Sequence, residues 1–155
     1  MGRLLFLCVV VIITDYASGS SIVNATVDAF SQGCMKCICQ VEGCERNIGK
    51  CRMDVGSLSC GPYQIKENYW IDCGQPGLDW MSCGKQMACS EKCVKAYMAR
   101  YGTRCTKGRE PTCRDYARIH NGGPMGCRPQ TPSKERNLEA YWAKVKQCCS
   151  TKHTC

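Results

Sequence analysis

Along residues 34–41 the apolar positions and cysteines fall at Cys34, Cys37, Ile38 and Val41, spaced i, i+3, i+4, i+7. That spacing predicts a helix with one stripe turned to a core, stopped by Gly43. Glu42 follows Ile38 by four positions, so it rides the edge of the stripe in the last turn. At Cys51 the period changes. Cys51, Met53 and Val55 alternate with Arg52 and Asp54, as in a strand with one polar face. Residues 51–73 read as a small antiparallel sheet, with turns at Gly56-Ser57 and Gly61-Pro62. Tyr63, Ile65, Tyr69 and Trp70 supply its β-forming bulk. A loop over residues 73–85 leads to a helix over 90–101, with Cys89, Cys93, Tyr97 and Tyr101 on one side and Gly102 as its stop. After a basic loop, a short helix starts at Thr112, with Asp115 placed for a capping box, and ends at Asn121-Gly122-Gly123-Pro124. A proline-bearing linker over 128–133 precedes a last helix over 137–147, striped by Leu138, Tyr141, Trp142 and Val145. A helix, a small sheet and then several helices is an α+β order.

The amino terminus stands apart from this pattern. Arg3 precedes the apolar run of residues 4–13, and Ala17, Ser18, Gly19 and Ser20 follow. This predicts a signal peptide over residues 1–20, a leader over 21–33 carrying the sequon Asn24-Ala25-Thr26, and one domain over 34–155. The apolar run is too short to span a bilayer, so a secreted, extracellular protein without membrane insertion is expected. Of the 17 cysteines, Cys8 leaves with the signal. An even set remains, which in an exported chain means disulfides, and their pairing cannot be read from spacing. Cys34-x-x-Cys37 and Cys148-Cys149 could suggest zinc or redox chemistry. Export and the lack of a histidine-rich partner set argue against both, so no metal and no cofactor is expected. The net charge of +8 favours polyanionic partners such as bacterial walls. Its scattered basic residues carry no nucleic-acid motif.

The two patterned stretches put two carboxylates in unlike surroundings. A carboxyl half-turned into an apolar face, as Glu42 is, keeps its proton more tightly. Asp54 shares a face with Arg52 and is followed by the hydroxyls of Ser57 and Ser59, which favour the ionised form. An acid facing an ionised carboxylate is the pairing that glycoside hydrolysis needs. Two acids alone are weak ground, because most such pairs are solvated surface charges.

The segment CMKCICQVEGC, followed by MDVGSLSCGPYQIK, YWIDC, ACSEKCVKAYMARYG and TCRDYARIHNGGPMGC, resembles the invertebrate-type lysozymes, in particular their destabilase-like branch. The resemblance covers residues 34–127 and implies a lysozyme-like fold with its cleft between sheet and helices. It implies Glu42 as general acid and Asp54 as second catalytic carboxylate, acting on peptidoglycan or chitin oligosaccharides. Tyr63, Tyr69, Trp70 and Trp80 are candidates to line sugar subsites, against the alternative of ordinary packing. The destabilase-like branch also implies isopeptide cleavage, with Ser57 or Ser59, Lys66 and His120 as the matching residues. His120 lies on the stripe of Cys113, Tyr116 and Ala117, so it points to the interior or the cleft and is either a satisfied core histidine or a base. Lys66 beside Glu67 reads as solvated, which leaves His120 the expected base for a serine. The rival reading is a cationic, cysteine-rich wall-binding protein with no catalysis, which charge and disulfides fit equally well.

Overall fold

The computed structural model describes residues 30–152 and residue 155. The expected signal peptide, the Asn24 sequon and the expected leader up to residue 29 lie outside them. The first helix, α1 (Gln32–Glu42), opens at Ser31, whose hydroxyl accepts the Cys34 N–H at 3.1 Å. Its stripe buries Cys34, Met35, Cys37, Ile38 and Cys39. Gly43 ends it at φ 101°, a conformation that suits a residue without a Cβ. A 3₁₀ turn (Cys44–Asn47) leads to a hairpin of β1 (Cys51–Asp54) and β2 (Ser57–Cys60). The strands are antiparallel, with Cys51 opposite Cys60 and Asp54 opposite Ser57. Five helices follow: α2 (Glu67–Asp72), α3 (Trp80–Lys85), α4 (Met87–Cys105), α5 (Cys113–Gly122) and α6 (Pro132–Lys152). The order is α+β, as the periodicities predict.

The sheet is smaller than the alternation implies. Beyond Cys60 only Ile65 pairs with it, as an isolated bridge, and Tyr69 and Trp70 lie on α2. Strand preference is largely a preference for a half-buried packing surface, and a helix gives these rings the same thing. Residues 80–85, expected to be loop, form α3 behind the cap of Asp79, which accepts the Ser82 N–H at 2.8 Å. A Cβ on Gly61 would sit 1.6 Å from the Gly84 carbonyl oxygen, so α3 packs directly on the base of the hairpin. Gly102 does not stop α4. It is buried against Pro111 and Tyr116, and the helix runs on to Cys105. The Thr112–Asp115 capping box forms as predicted. The last helix starts earlier than its apolar stripe does, at Pro132, a residue suited to a first helical turn.

The core lies where α1 meets α5 and α6, with α4 behind; Ile38, Val94, Ile119 and Val145 are each fully buried there. Sixteen cysteines form eight disulfides. Three of them fasten α1, joining Cys34 to Cys113, Cys37 to Cys148 and Cys39 to Cys44. Arg118 on α5, its side chain only 4% exposed, pairs with Glu135 and Glu139 of α6 and donates to the Gly126 carbonyl. This charge is buried because it is paired on every side. Among the described residues no helix is long and apolar enough to cross a membrane.

Candidate active site

Glu42 stands at the carboxyl end of α1, where three devices fix its backbone. Gly43 turns the chain, Cys39 and Cys44 close a disulfide beside it, and Asn47 donates its side-chain amide to the Glu42 carbonyl at 2.6 Å. The side chain is 17% exposed. Tyr141, from the middle of α6, donates its hydroxyl to Glu42 Oε1 at 2.7 Å. Burial pushes the Glu42 pKa up, against the Tyr141 hydrogen bond, which pulls it down; the charge of Asp54 raises it further. Arg52 and Lys144 offset part of this. Glu42 is therefore a carboxyl that keeps its proton above the usual range, within electrostatic reach of a second one.

Asp54 lies at the tip of the hairpin and is open to solvent, its side chain 52% exposed. The cation beside it is Lys66, with Nζ 3.2 Å from Oδ2, rather than Arg52, which donates to Gln64 at 2.8 Å. Lys66 also donates to the Asp54 main-chain carbonyl at 2.9 Å and lies 2.6 Å from Ser57 Oγ. Lys66 stays open to solvent, its side chain 38% exposed, but its stem folds back along the hairpin to meet these partners. Ser57 is exposed and donates to the Asp54 carbonyl at 3.3 Å. Ser59, by contrast, is fully buried on β2, and its hydroxyl has no partner. A bulky acyl substrate cannot reach it.

His120 takes the first of its two alternatives, a satisfied interior histidine. Its side chain is 4% exposed, and Nε2 lies 3.1 Å from the Tyr63 carbonyl. A carbonyl only accepts, so Nε2 carries the proton and the neutral ring's Nδ1 accepts from the Tyr69 hydroxyl at 3.2 Å. Burial lowers its pKa to about 4, partly opposed by the Tyr63 carbonyl. Its hydrogen bonds go to two tyrosines, and neither goes to a serine; Glu42 Oε1 lies 3.7 Å from Nε2. His120 is a neutral wall behind Glu42, and its accepting nitrogen is occupied.

The four aromatic residues are largely held by the fold. Tyr63 is 1% exposed and belongs to the core, which removes it as a sugar platform. Trp70 and Trp80 are half-buried and donate their indole N–H groups to the carbonyls of Pro76 and Ile65, at 2.9 and 3.1 Å. Tyr69 stacks on Tyr97, ring centres 3.6 Å apart, and the two help line a pocket of about 260 Å³ with Lys66, Asp72, His120 and Asn121. The sulfurs of Cys37, Cys149 and Cys155 cluster within 4.8 Å, but each is in a disulfide and offers no thiolate to a metal. Tyr141 is the neighbour of Glu42 that sequence patterns miss. Its signal was a polar-tipped ring on the buried stripe of α6, since a buried phenol seeks a partner.

The family model described as Destabilase matches residues 31–148. The chain is 54% identical over 115 residues to Lysozyme 1 of Crassostrea virginica, covering 74% of this chain and 58% of that protein. It is 53% identical over 116 residues to an invertebrate-type lysozyme of Ruditapes philippinarum, covering 72% of this chain and 76% of that one. The crystal structure of an inhibitor-bound lysozyme from Meretrix lusoria superposes with a TM-score of 0.66 at 43% identity, over 77% of this chain and 90% of the other.

Proposed function

Since the chain belongs to the destabilase family of invertebrate-type lysozymes, we propose that it is a secreted antibacterial lysozyme that cleaves the β-1,4 glycosidic bonds of peptidoglycan by a retaining mechanism. The observation that carries this reading is the contrast within one site. Glu42 is buried, bonded to Tyr141 and raised in pKa, while Asp54 is exposed and paired with Lys66. A carboxyl that accepts Tyr141 at Oε1 carries its acidic proton on Oε2. Glu42 gives that proton to the glycosidic oxygen as the bond from C1 breaks, and an Asp54 oxygen bonds to C1. Glu42, now a base, takes a proton from water, whose oxygen displaces Asp54 and restores both groups. Chitin oligosaccharides present the same linkage and are a second candidate substrate.

Glu42→Gln tests the assignment, since the amide cannot give up a proton. Lysis of purified bacterial wall, followed by turbidity, is expected to fall ~10²–10⁴-fold with the fold intact. A folded variant that still lyses walls overturns the reading. Killing of whole cells by that same variant would favour the non-catalytic cationic alternative.

The contact of Lys66 Nζ with Ser57 Oγ at 2.6 Å favours a second reading, isopeptide cleavage by a serine with a lysine as its base. In it Ser57 replaces the buried Ser59, and Lys66 replaces His120. Loss of isopeptide release in Ser57→Ala, with glycan cleavage kept, is the outcome this reading requires.

A further inference from the structure

Lys66 does more at this site than meet a serine. It is the N-cap residue of α2, directly after Ile65, whose backbone pairs with Cys60 and whose carbonyl accepts the Trp80 indole N–H. Its root is therefore fixed to the base of the hairpin, and its side chain runs to the tip. There Nζ meets three oxygens: the Asp54 carbonyl at 2.9 Å, Asp54 Oδ2 at 3.2 Å and Ser57 Oγ at 2.6 Å. Two of these are hydrogen bonds, to the Asp54 carbonyl and Ser57 Oγ, and the third is an ion pair with the carboxylate. Asp54 and Ser57 are the two residues that flank the turn.

The turn so gripped is strained. Val55 and Gly56 have φ of 44° and 76°, both positive as in a type I′ hairpin turn. Glycine takes this conformation freely, but an L-residue is crowded in it, and a β-branched one is a true outlier. Burial does not compensate, because Val55 is 96% exposed. Among the described residues Lys66 is the one side chain paired with the carboxylate. An exposed ion pair adds little to stability, so the significance of this one lies in where it points Asp54.

We propose that Lys66 is a positioning residue for glycan cleavage: its ammonium holds the Asp54 carboxylate and the turn beneath it in the orientation from which C1 is attacked, whether or not Ser57 reacts. This rests on the reading of Glu42 and Asp54 as the glycosidase pair. It also means that glycan cleavage and any serine chemistry share one lysine, because a Lys66 given over to activating Ser57 is no longer the ammonium that pairs with the Asp54 carboxylate.

The test uses the full, disulfide-bonded protein on glycan strands of peptidoglycan whose stem peptides have been removed, so that no peptide or isopeptide bond is available to Ser57. Lys66→Met is expected to lower kcat roughly 10–100-fold, the scale of a misplaced reacting group, with KM changed less than about threefold. Lys66→Arg, which restores charge and donors on a longer stem, is expected to recover most of that loss. Wild-type kcat in Lys66→Met overturns the proposal. So does a loss carried by KM, which would make Lys66 a sugar contact, or an Arg variant as slow as the Met one. Should Lys66→Met fail to fold, Lys66→Gln carries the same comparison. Glu42→Gln runs beside them: wild-type kcat in that variant would overturn the underlying glycosidase reading instead, independently of what Lys66 does.

Discussion

The two carboxylates are held in opposite ways. Glu42 sits where a helix, a disulfide and two buried rings converge, and its surroundings would be the same if the substrate never came. Asp54 sits on an exposed two-residue turn with one lysine to steady it. The difference suits the two tasks proposed for them. An acid must keep its proton, which needs a dry, rigid site; a nucleophile must stay charged and reach an atom that moves, which needs water and a lighter hold. On the proposed mechanism, the fold gives each group its own solvent.

The comparison is sharpest at the nucleophile. Asp54→Asn removes the attacking charge and is expected to lower kcat on glycan strands by ~10³, with the fold and melting temperature nearly unchanged, since an exposed side chain is lost. A small loss would mean that the second carboxylate lies elsewhere. At the acid, burial can be read thermally. His120 has a folded pKa of about 4 against 6.5 for a free ring, so its contribution is present above pH 6.5 and is lost as pH falls toward 4. Over that window the protein should lose about 3 kcal/mol of stability that His120→Gln does not lose, measured by denaturant titration at each pH. Identical pH dependence in the two proteins would show the ring to be solvated.

Tyr141→Phe deletes a hydrogen bond that favours ionised Glu42, at a cost of about 1 kcal/mol in stability. The Glu42 pKa should therefore rise, and the alkaline limb of the kcat/KM profile should move to higher pH. A shift downward would mean that the hydroxyl serves the protonated form. The smallest change is at the hairpin tip. Val55→Asn gives the turn a residue that tolerates positive φ, and the melting temperature should rise by an amount matching up to ~1 kcal/mol. A fall would show that the turn carries no strain.

How much of this could be read from the chain depends on how local each cause is. The stripe that ends at Glu42, the Asp54 strand and the Thr112 capping box are short-range patterns, and each was legible. The sheet was overextended because Tyr69 and Trp70 are strand formers by habit, and only the tertiary packing decides for α2. Gly102 reads as a stop because its burial under Pro111 and Tyr116 is invisible locally. The partners of the site are the least legible part. Lys66 looks solvated beside Glu67 but bonds twelve residues back, and Tyr141 meets Glu42 across 99 positions. Periodicity describes which element forms and, on α1, which face is buried; on β1 it does not, since Met53 and Val55 are exposed, and nowhere does it say what a face touches.

That last separation has a meaning in time. A ribosome delivers the chain in order at roughly 5–20 residues per second, so some 5–20 s pass between the synthesis of Glu42 and that of Tyr141. Throughout that interval the nascent chain holds both carboxylates and lacks the ring beside the acid. The lock on the ring comes later still, when Cys148 finds Cys37 across 111 residues, in whatever oxidising space receives the chain. By order of synthesis, the last helix completes the surroundings of a carboxyl that the first helix presents.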